Sequence, residues 1–433
     1  MQSIPLRSEL FHGTYSLEYH DEDNTVQPWR ILEKDRDLYY PDLLRVAAMP
    51  ACCRIVIVTD ASKIELQAFP LLPLTPYDYD LNIDGELVQT ICKDPIINLD
   101  VEKHFKDEID FTKPPDIKTI MSPKLITKFV SLTRGASAVK IDKVSPHTIT
   151  FDLPGKNDGK TFRVEIWLST CGSQKIKSLK VNSDATVISA FDDPRPVWVT
   201  HGSSITHNQG LGTAQIPGFP YGIGEAKSPS QSWPAMVAKK ANLNLFSIGL
   251  GGQCHMDQMI ARQIRDMKRV DCISLKLGIN IHNLGSMAIR AFQQAAVGFI
   301  STIRDKHPTV PILIISPIYG SFREHETHSP AALTPSGAKP DPRFPTLEQM
   351  RAILKSVVNI FIKRGDKNIS YLSGLELFHE QDMKDGFMPD ELHPTADGYL
   401  KMAERLAPIA FGRNGLLLPQ RIIDDDSGSS SKL

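Results

Sequence analysis

The stretch VWVTHGSSIT, residues 197–206, decides how the chain folds. Its opening Val197-Trp198-Val199-Thr200 is a short apolar run without polar alternation. A strand covered by helices on both faces reads this way, as in a parallel sheet. Gly202-Ser203-Ser204 then supplies small residues at the point where such a strand turns into a helix.

Toward the C-terminus the same kind of run recurs as NLFSI (244–248), CISLKL (272–277), ILIIS (312–316) and ISYL (369–372). Apolar residues at helical spacing fill 231–242, 255–268, 286–306 and 346–364, and a last helix is expected over 396–410, after His393-Pro394. Alternating strands and helices of this kind specify a three-layer, doubly wound parallel sheet over 194–415.

Toward the N-terminus, residues 1–190 read differently. RIVIVTD (54–60) and KIELQAF (63–69) are β-branched runs parted by a turn, and YDYDLNIDGELVQTI (77–91) alternates around Asp84-Gly85, a hairpin signal. TITFDL (148–153) and FRVEIWL (162–168) continue the pattern. The expectation is an antiparallel β-sandwich, jelly-roll-like, interrupted by a Lys-, Asp- and Pro-rich insertion over about 97–145. Residues 186–196 read as a linker, 320–345 as a long loop over a site, and 416–433 as a flexible tail.

Bulk properties set limits. At 433 residues the chain exceeds one ordinary core, which agrees with two domains. A formal net charge of −1 gives no electrostatic reason to expect nucleic acid or an anionic membrane as partner. No stretch approaches the roughly 18 continuous apolar residues of a membrane helix. The opening MQSIPLRSELFHGTY lacks an apolar core, so no secretory signal is expected. Cys52, Cys53, Cys92, Cys171, Cys254 and Cys272 form no CxxC and are expected to be reduced thiols of an intracellular protein.

In a parallel α/β sheet, ligands bind at the carboxyl ends of the strands. Ser203 and Ser204 follow the first strand, where a helix N-terminus offers N–H donors to an oxyanion. Gly249-Leu250-Gly251-Gly252 follows the second and permits close backbone approach. Gly278-Ile279-Asn280 follows the third and brings an amide donor. Asp390-Glu391-Leu392-His393 follows the fifth, where an Asp three residues before a His can fix its tautomer. Each feature has an ordinary structural alternative: a turn, an N-cap, a locally bonded Asn, a surface Asp/His pair. Together, and in this order, they supply every role of a serine acyl-transfer enzyme.

These residues resemble the SGNH, or GDSL-like, hydrolases. Gly202-Ser203-Ser204 resembles the Gly-Asp-Ser block, Gly252 the second-block glycine, Gly278-Ile279-Asn280 the Gly-x-Asn block, and Asp390-x-x-His393 the last. The resemblance implies a flavodoxin-like catalytic fold with Ser204 as nucleophile, His393 as base and Asp390 as its orienting partner. It also implies an oxyanion hole built from Ser204, Gly252 and Asn280, and no metal or cofactor. Pro28-Trp29-Arg30 and Ala48-Met49-Pro50-Ala51 are similar to the subgroup that carries an N-terminal β-sandwich. Ser203, Ser247 and Ile281 depart from the usual Asp, Asn and Asp, and the adjacent serines raise a question of register. Ser204 is preferred because the family's nucleophile is the third residue of its triplet.

The expected activity is hydrolysis of a small-molecule ester. An acyltransferase using acyl-CoA or an ester donor is the alternative, and an inactive binding protein a remote third. His207, His255 and His282 follow the blocks closely and are candidates for substrate contact or for structure. His325-Glu326-Thr327-His328 lacks the i,i+4 spacing of a zinc motif and reads as polar loop. Ser431-Lys432-Leu433, carried on an Asp-, Gly- and Ser-rich run, matches a peroxisomal address, so peroxisomal import through its receptor is expected.

Overall fold

In the computed structural model, residues 1–71, 77–93, 107, 146–153, 160–188, 193–208, 228–327 and 341–418 are described. The 97–145 insertion (residue 107 apart), the 328–340 part of the long loop, and Ser431, Lys432 and Leu433 lie outside them. The described residues form two compact units. One contains those up to Asp193 together with 228–232; the other contains those from Pro194 to Asn208 and from Trp233 onward.

The first unit consists of two antiparallel sheets. One runs Ser16–His20, Thr25–Trp29, Gln174–Val181, Lys63–Pro70, His147–Asp152, with Gln2–Ile4 also paired to Gln174–Val181. The other runs Val187–Ile188, Arg54–Thr59, Phe162–Trp167, Tyr77–Ile83, Glu86–Lys93, with Phe11–His12 on Arg54–Thr59. Lys63–Pro70 alternates as a half-buried strand should, with Ile64, Leu66 and Ala68 turned into the core beside Ile57, Tyr79, Phe151, Val164 and Leu179. The expected hairpin is present. Asp84 and Gly85 have φ of +49° and +85°, the positive values a two-residue turn between twisted strands requires. Thr25–Trp29 adds to the strands expected from sequence; Pro28 within it removes a ladder donor and obscures the pattern.

Two buried polar groups explain the unit's connections. Arg30 is fully buried and donates from Nη2 to the Val46 carbonyl at 2.6 Å. Asp80, also fully buried, accepts Ser230 N–H at 2.8 Å, Ser230 Oγ at 2.6 Å, Thr90 Oγ1 at 2.7 Å and the Ser228 hydroxyl. A buried carboxylate demands such partners, and this one draws residues 228–232 into the first unit.

The second unit is a five-stranded parallel sheet: β1 (Val197–Gly202), β2 (Asn244–Gly249), β3 (Cys272–Lys276), β4 (Ile312–Ile315) and β5 (Ile369–Leu372), in the order β2-β1-β3-β4-β5. This is the flavodoxin-like order, with its switch point between β1 and β3. The helices are α1 (Ser204–His207), α2 (Trp233–Lys240), α3 (Gln258–Asp266), α4 (Ile279–Leu284), α5 (Ile289–Arg304), α6 (Leu347–Lys363), α7 (Glu380–Lys384) and α8 (Ala396–Phe411). On one face of β1, Trp198 packs against Trp233 of α2 and Phe411 of α8, with ring centroids 6.0 and 5.4 Å away. On the other face, His201 stacks on Phe299 of α5 at 5.6 Å. The strands are buried on both faces, which is why they read as unbroken apolar runs.

Candidate active site

The site begins where β1 meets α1. Ser203 is the extended N-cap residue and Ser204 the first helical one. Two glycines let this turn lie close on the strand ends. A Cβ at Gly202 would fall 2.3 Å from Thr206 Oγ1, and one at Gly249 would fall 2.4 Å from His207 N. Ser204 is 9% exposed, and its Oγ lies 2.9 Å from His393 Nε2.

The other imidazole nitrogen of His393, Nδ1, is 2.7 Å from Asp390 Oδ2. Asp390 Oδ1 accepts the N–H groups of Leu392 at 3.0 Å and His393 at 2.7 Å. The Asp-x-x-His spacing thus lets one carboxylate hold both the loop and the ring. Burial pushes the Asp390 carboxyl up, but the His393 charge and these hydrogen bonds outweigh it and bring it below the usual carboxylate range. A carboxylate at Nδ1 assigns the proton there and leaves Nε2 to accept the Ser204 hydroxyl proton.

Gly252 and Asn280 occupy the neighbouring strand ends, after β2 and β3. Gly252 has φ +71°, and its N–H donates to none of the described residues. Asn280 Oδ1 accepts the Cys254 N–H at 3.0 Å, which orients the amide and leaves Nδ2 as the donor end. Gly278 before it has φ +123°, and a Cβ there would strike Pro317 at 2.8 Å. Direct hydrogen bonds join Ser204, His393 and Asp390; Gly252 and Asn280 share their sheet edge without bonding to those three. A small, open depression runs alongside, lined by Ile205, Ile279, Pro317, Ile318, Tyr319, Gly320, Glu391 and Leu392.

The three histidines after the blocks bond to protein groups. His207 Nδ1 accepts the Gly251 N–H at 3.4 Å, His255 bridges the Gly252 carbonyl and Ser286 Oγ, and His282 reaches the Glu326 carbonyl at 2.9 Å. His325 is exposed, 3.7 Å from Glu348. No cluster of three metal-ligating side chains occurs among the described residues.

The expected 320–345 loop starts with order that the polar composition does not reveal. Residues Ser321–Glu324 form a 3-10 turn with Arg323 and Glu324 buried. Glu324 bonds Arg351 of α6 through two contacts of 2.6 and 2.7 Å, and Arg351 also donates to the Pro317 and Ile318 carbonyls. Arg323 donates to Asn283 Oδ1 at 3.0 Å and to the Glu391 carbonyl at 2.9 Å. No local motif marks either arginine, since their partners lie 27 to 68 positions away.

Residues 200–401 match the model of the GDSL-like lipase/acylhydrolase family, and residues 10–105 that of the N-terminal domain of SsfX3. The chain therefore carries a GDSL-like acylhydrolase domain behind an N-terminal domain of the SsfX3 kind. The fold of its second unit is that of the GDSL-like, or SGNH, family. No curated protein matches it by sequence. Among solved structures, the salicylyl-acyltransferase SsfX3 from a tetracycline biosynthetic pathway is similar at 23% identity and a TM-score of 0.67, over 91% of this chain and 92% of that one. A putative GDSL-like lipase from Bacteroides ovatus gives 15% identity and 0.58 over 93% and 94%. A family two carbohydrate esterase from Cellvibrio japonicus gives 15% and 0.54 over 94% and 96%. These likenesses extend to the two-part architecture.

Proposed function

We propose that this protein is a serine esterase that cleaves a small-molecule acyl ester through an acyl-enzyme on Ser204. The observation that carries the reading is the unbroken line from Ser204 Oγ to His393 Nε2 and from His393 Nδ1 to Asp390. His393 takes the hydroxyl proton as Oγ bonds the carbonyl carbon, and the carbonyl electrons move to oxygen. The Asn280 side-chain amide and the Ser204 and Gly252 N–H groups receive that oxyanion. On collapse the imidazolium returns its proton to the departing alkoxide. Water then repeats the sequence on the acyl-enzyme. Ser204, His393, substrate and water carry every proton, so this route calls for no cofactor.

The test is mass spectrometry of the intact protein after incubation with candidate esters and acyl-CoAs. An added acyl mass that maps to Ser204, and is absent from Ser204→Ala, supports the reading. Turnover with no dependence on Ser204 sinks it.

One observation favours a second reading, acyl transfer to a hydroxyl acceptor: the N-terminal match is to the domain of SsfX3, a protein described as an acyltransferase. Competition between water and added alcohols for the acyl-enzyme separates the two. A further proposal concerns location. Ser431-Lys432-Leu433 would engage the peroxisomal import receptor if exposed as a C-terminal tripeptide. A fluorescent N-terminal fusion ending at Leu433 should form puncta that become diffuse when the tripeptide is removed; a diffuse intact fusion refutes the proposal.

A further inference from the structure

We propose that Arg323 is a positioning residue that clamps the Asp390–His393 loop to α4 and so keeps His393 Nε2 on Ser204. This deepens the proposed function and rests on it.

The argument starts at Glu391. It stands between Asp390 and His393 and has φ +59°, a left-handed conformation that a non-glycine residue holds only where its surroundings impose it. Its carbonyl accepts from Arg323 Nη1 at 2.9 Å. The same guanidinium donates from Nε to Asn283 Oδ1 at 3.0 Å. Asn283 lies on α4 three residues beyond Asn280, the proposed oxyanion donor. One planar group therefore ties the element bearing the oxyanion donor to the loop bearing the base.

The clamp is itself anchored. Gly320 N–H donates to Glu324 Oε1 at 2.9 Å, and the Glu324–Arg351 pair fixes this turn to α6 and to the Pro317 and Ile318 carbonyls. Arg323 is 7% exposed and forms no ion pair within 4 Å among the described residues. The charges of Asp390, Glu391 and Glu326 and the face of the Phe322 ring at 4.4 Å favour the buried guanidinium, but its two directed hydrogen bonds go to the neutral oxygens of Asn283 and Glu391, and these fix the loop geometry. Lysine cannot replace it, because a single ammonium does not present two donors along diverging, fixed directions.

The test uses the full chain with Arg323→Met and Arg323→Lys. The Met variant should lose about 10²-fold in kcat, the scale expected when a catalytic group is misplaced by roughly 1 Å. Its KM should stay within about threefold, since the loss falls on the reacting geometry. The far-downfield proton resonance of the His393 Nδ1–H···Asp390 bond should broaden or vanish. The Lys variant should fall between, about tenfold down in kcat at unchanged KM. A Met variant with wild-type kcat and an intact resonance, assayed below its melting temperature, overturns the clamp. So does a raised KM at unchanged kcat, which would make Arg323 a substrate-binding group. If the Met variant does not fold, the Lys variant decides, and wild-type kcat there overturns the proposal. Ser204→Ala run in parallel separates the failures: an active Ser204→Ala sinks the underlying reading, whatever Arg323 does.

Discussion

Ser203 and Ser204 are adjacent hydroxyls in different surroundings. Ser204 Oγ meets His393, whereas Ser203 Oγ is buried without a hydrogen-bond partner among the described residues. Ser204→Ala should therefore lower kcat by several orders of magnitude, roughly 10⁴–10⁶. Ser203→Ala should change it by less than about tenfold, because no proton path runs through that hydroxyl. Steady-state rates on one ester check both; a dead Ser203→Ala beside an active Ser204→Ala would reverse the register. Asn280→Ala removes one oxyanion donor and should lower kcat by roughly 10²–10³ with little change in KM. An unchanged kcat removes Asn280 from the site.

At the scale of elements, the loop after β4 depends on one buried ion pair. Glu324 and Arg351 have side chains 10% and 9% exposed, and Gly320 and the 317–318 carbonyls complete their hydrogen bonds. Arg351→Met strands the Glu324 carboxylate and should destabilise the second unit by about 3–5 kcal/mol. Adding Glu324→Gln removes the stranded charge and should recover part of that loss. Urea midpoints of the single and double variants measure the difference, and a single variant within experimental error of wild type would show the pair to be dispensable. The start of α6 bears less weight: Thr346 accepts the Gln349 N–H in a capping box, and Thr346→Ala should cost only about 1 kcal/mol.

The whole molecule should lose stability in mild acid through its first unit. His12 is held neutral there by burial, then by the Arg54 charge, and its pKa falls from 6.5 to about 4. The unfolded chain binds a proton as pH falls through about 6.5, while the folded unit does not until about 4. Stability should thus decline across that window by roughly 3 kcal/mol. The lowered carboxyls of Asp382 and Asp390 act in a separate range: they contribute above the unfolded carboxylate value and lose their effect below it. His12→Gln should flatten the stability curve between about pH 6.5 and 4. Urea unfolding of both proteins over a pH series checks this, and an unaltered acid slope would assign the proton uptake elsewhere.

The sequence by itself determined what short-range physics controls. Apolar runs without alternation marked all five parallel strands, since a strand covered on both faces has no polar side. Asp84-Gly85 marked its hairpin, since the turn needs two positive φ values. Asp390 and His393 could be paired by reading because three residues bring one carboxylate to both ring and backbone. The tertiary structure decided what depends on distant partners. Ser204 and His393 are 189 positions apart, and only the folded sheet brings Oγ to Nε2. The bonds from Asp80 to residues 228–230, from Glu324 to Arg351 and from Arg323 to Glu391 likewise carry no periodic or motif signal. A buried charge selects whichever partner packing delivers, and packing is a property of the whole chain.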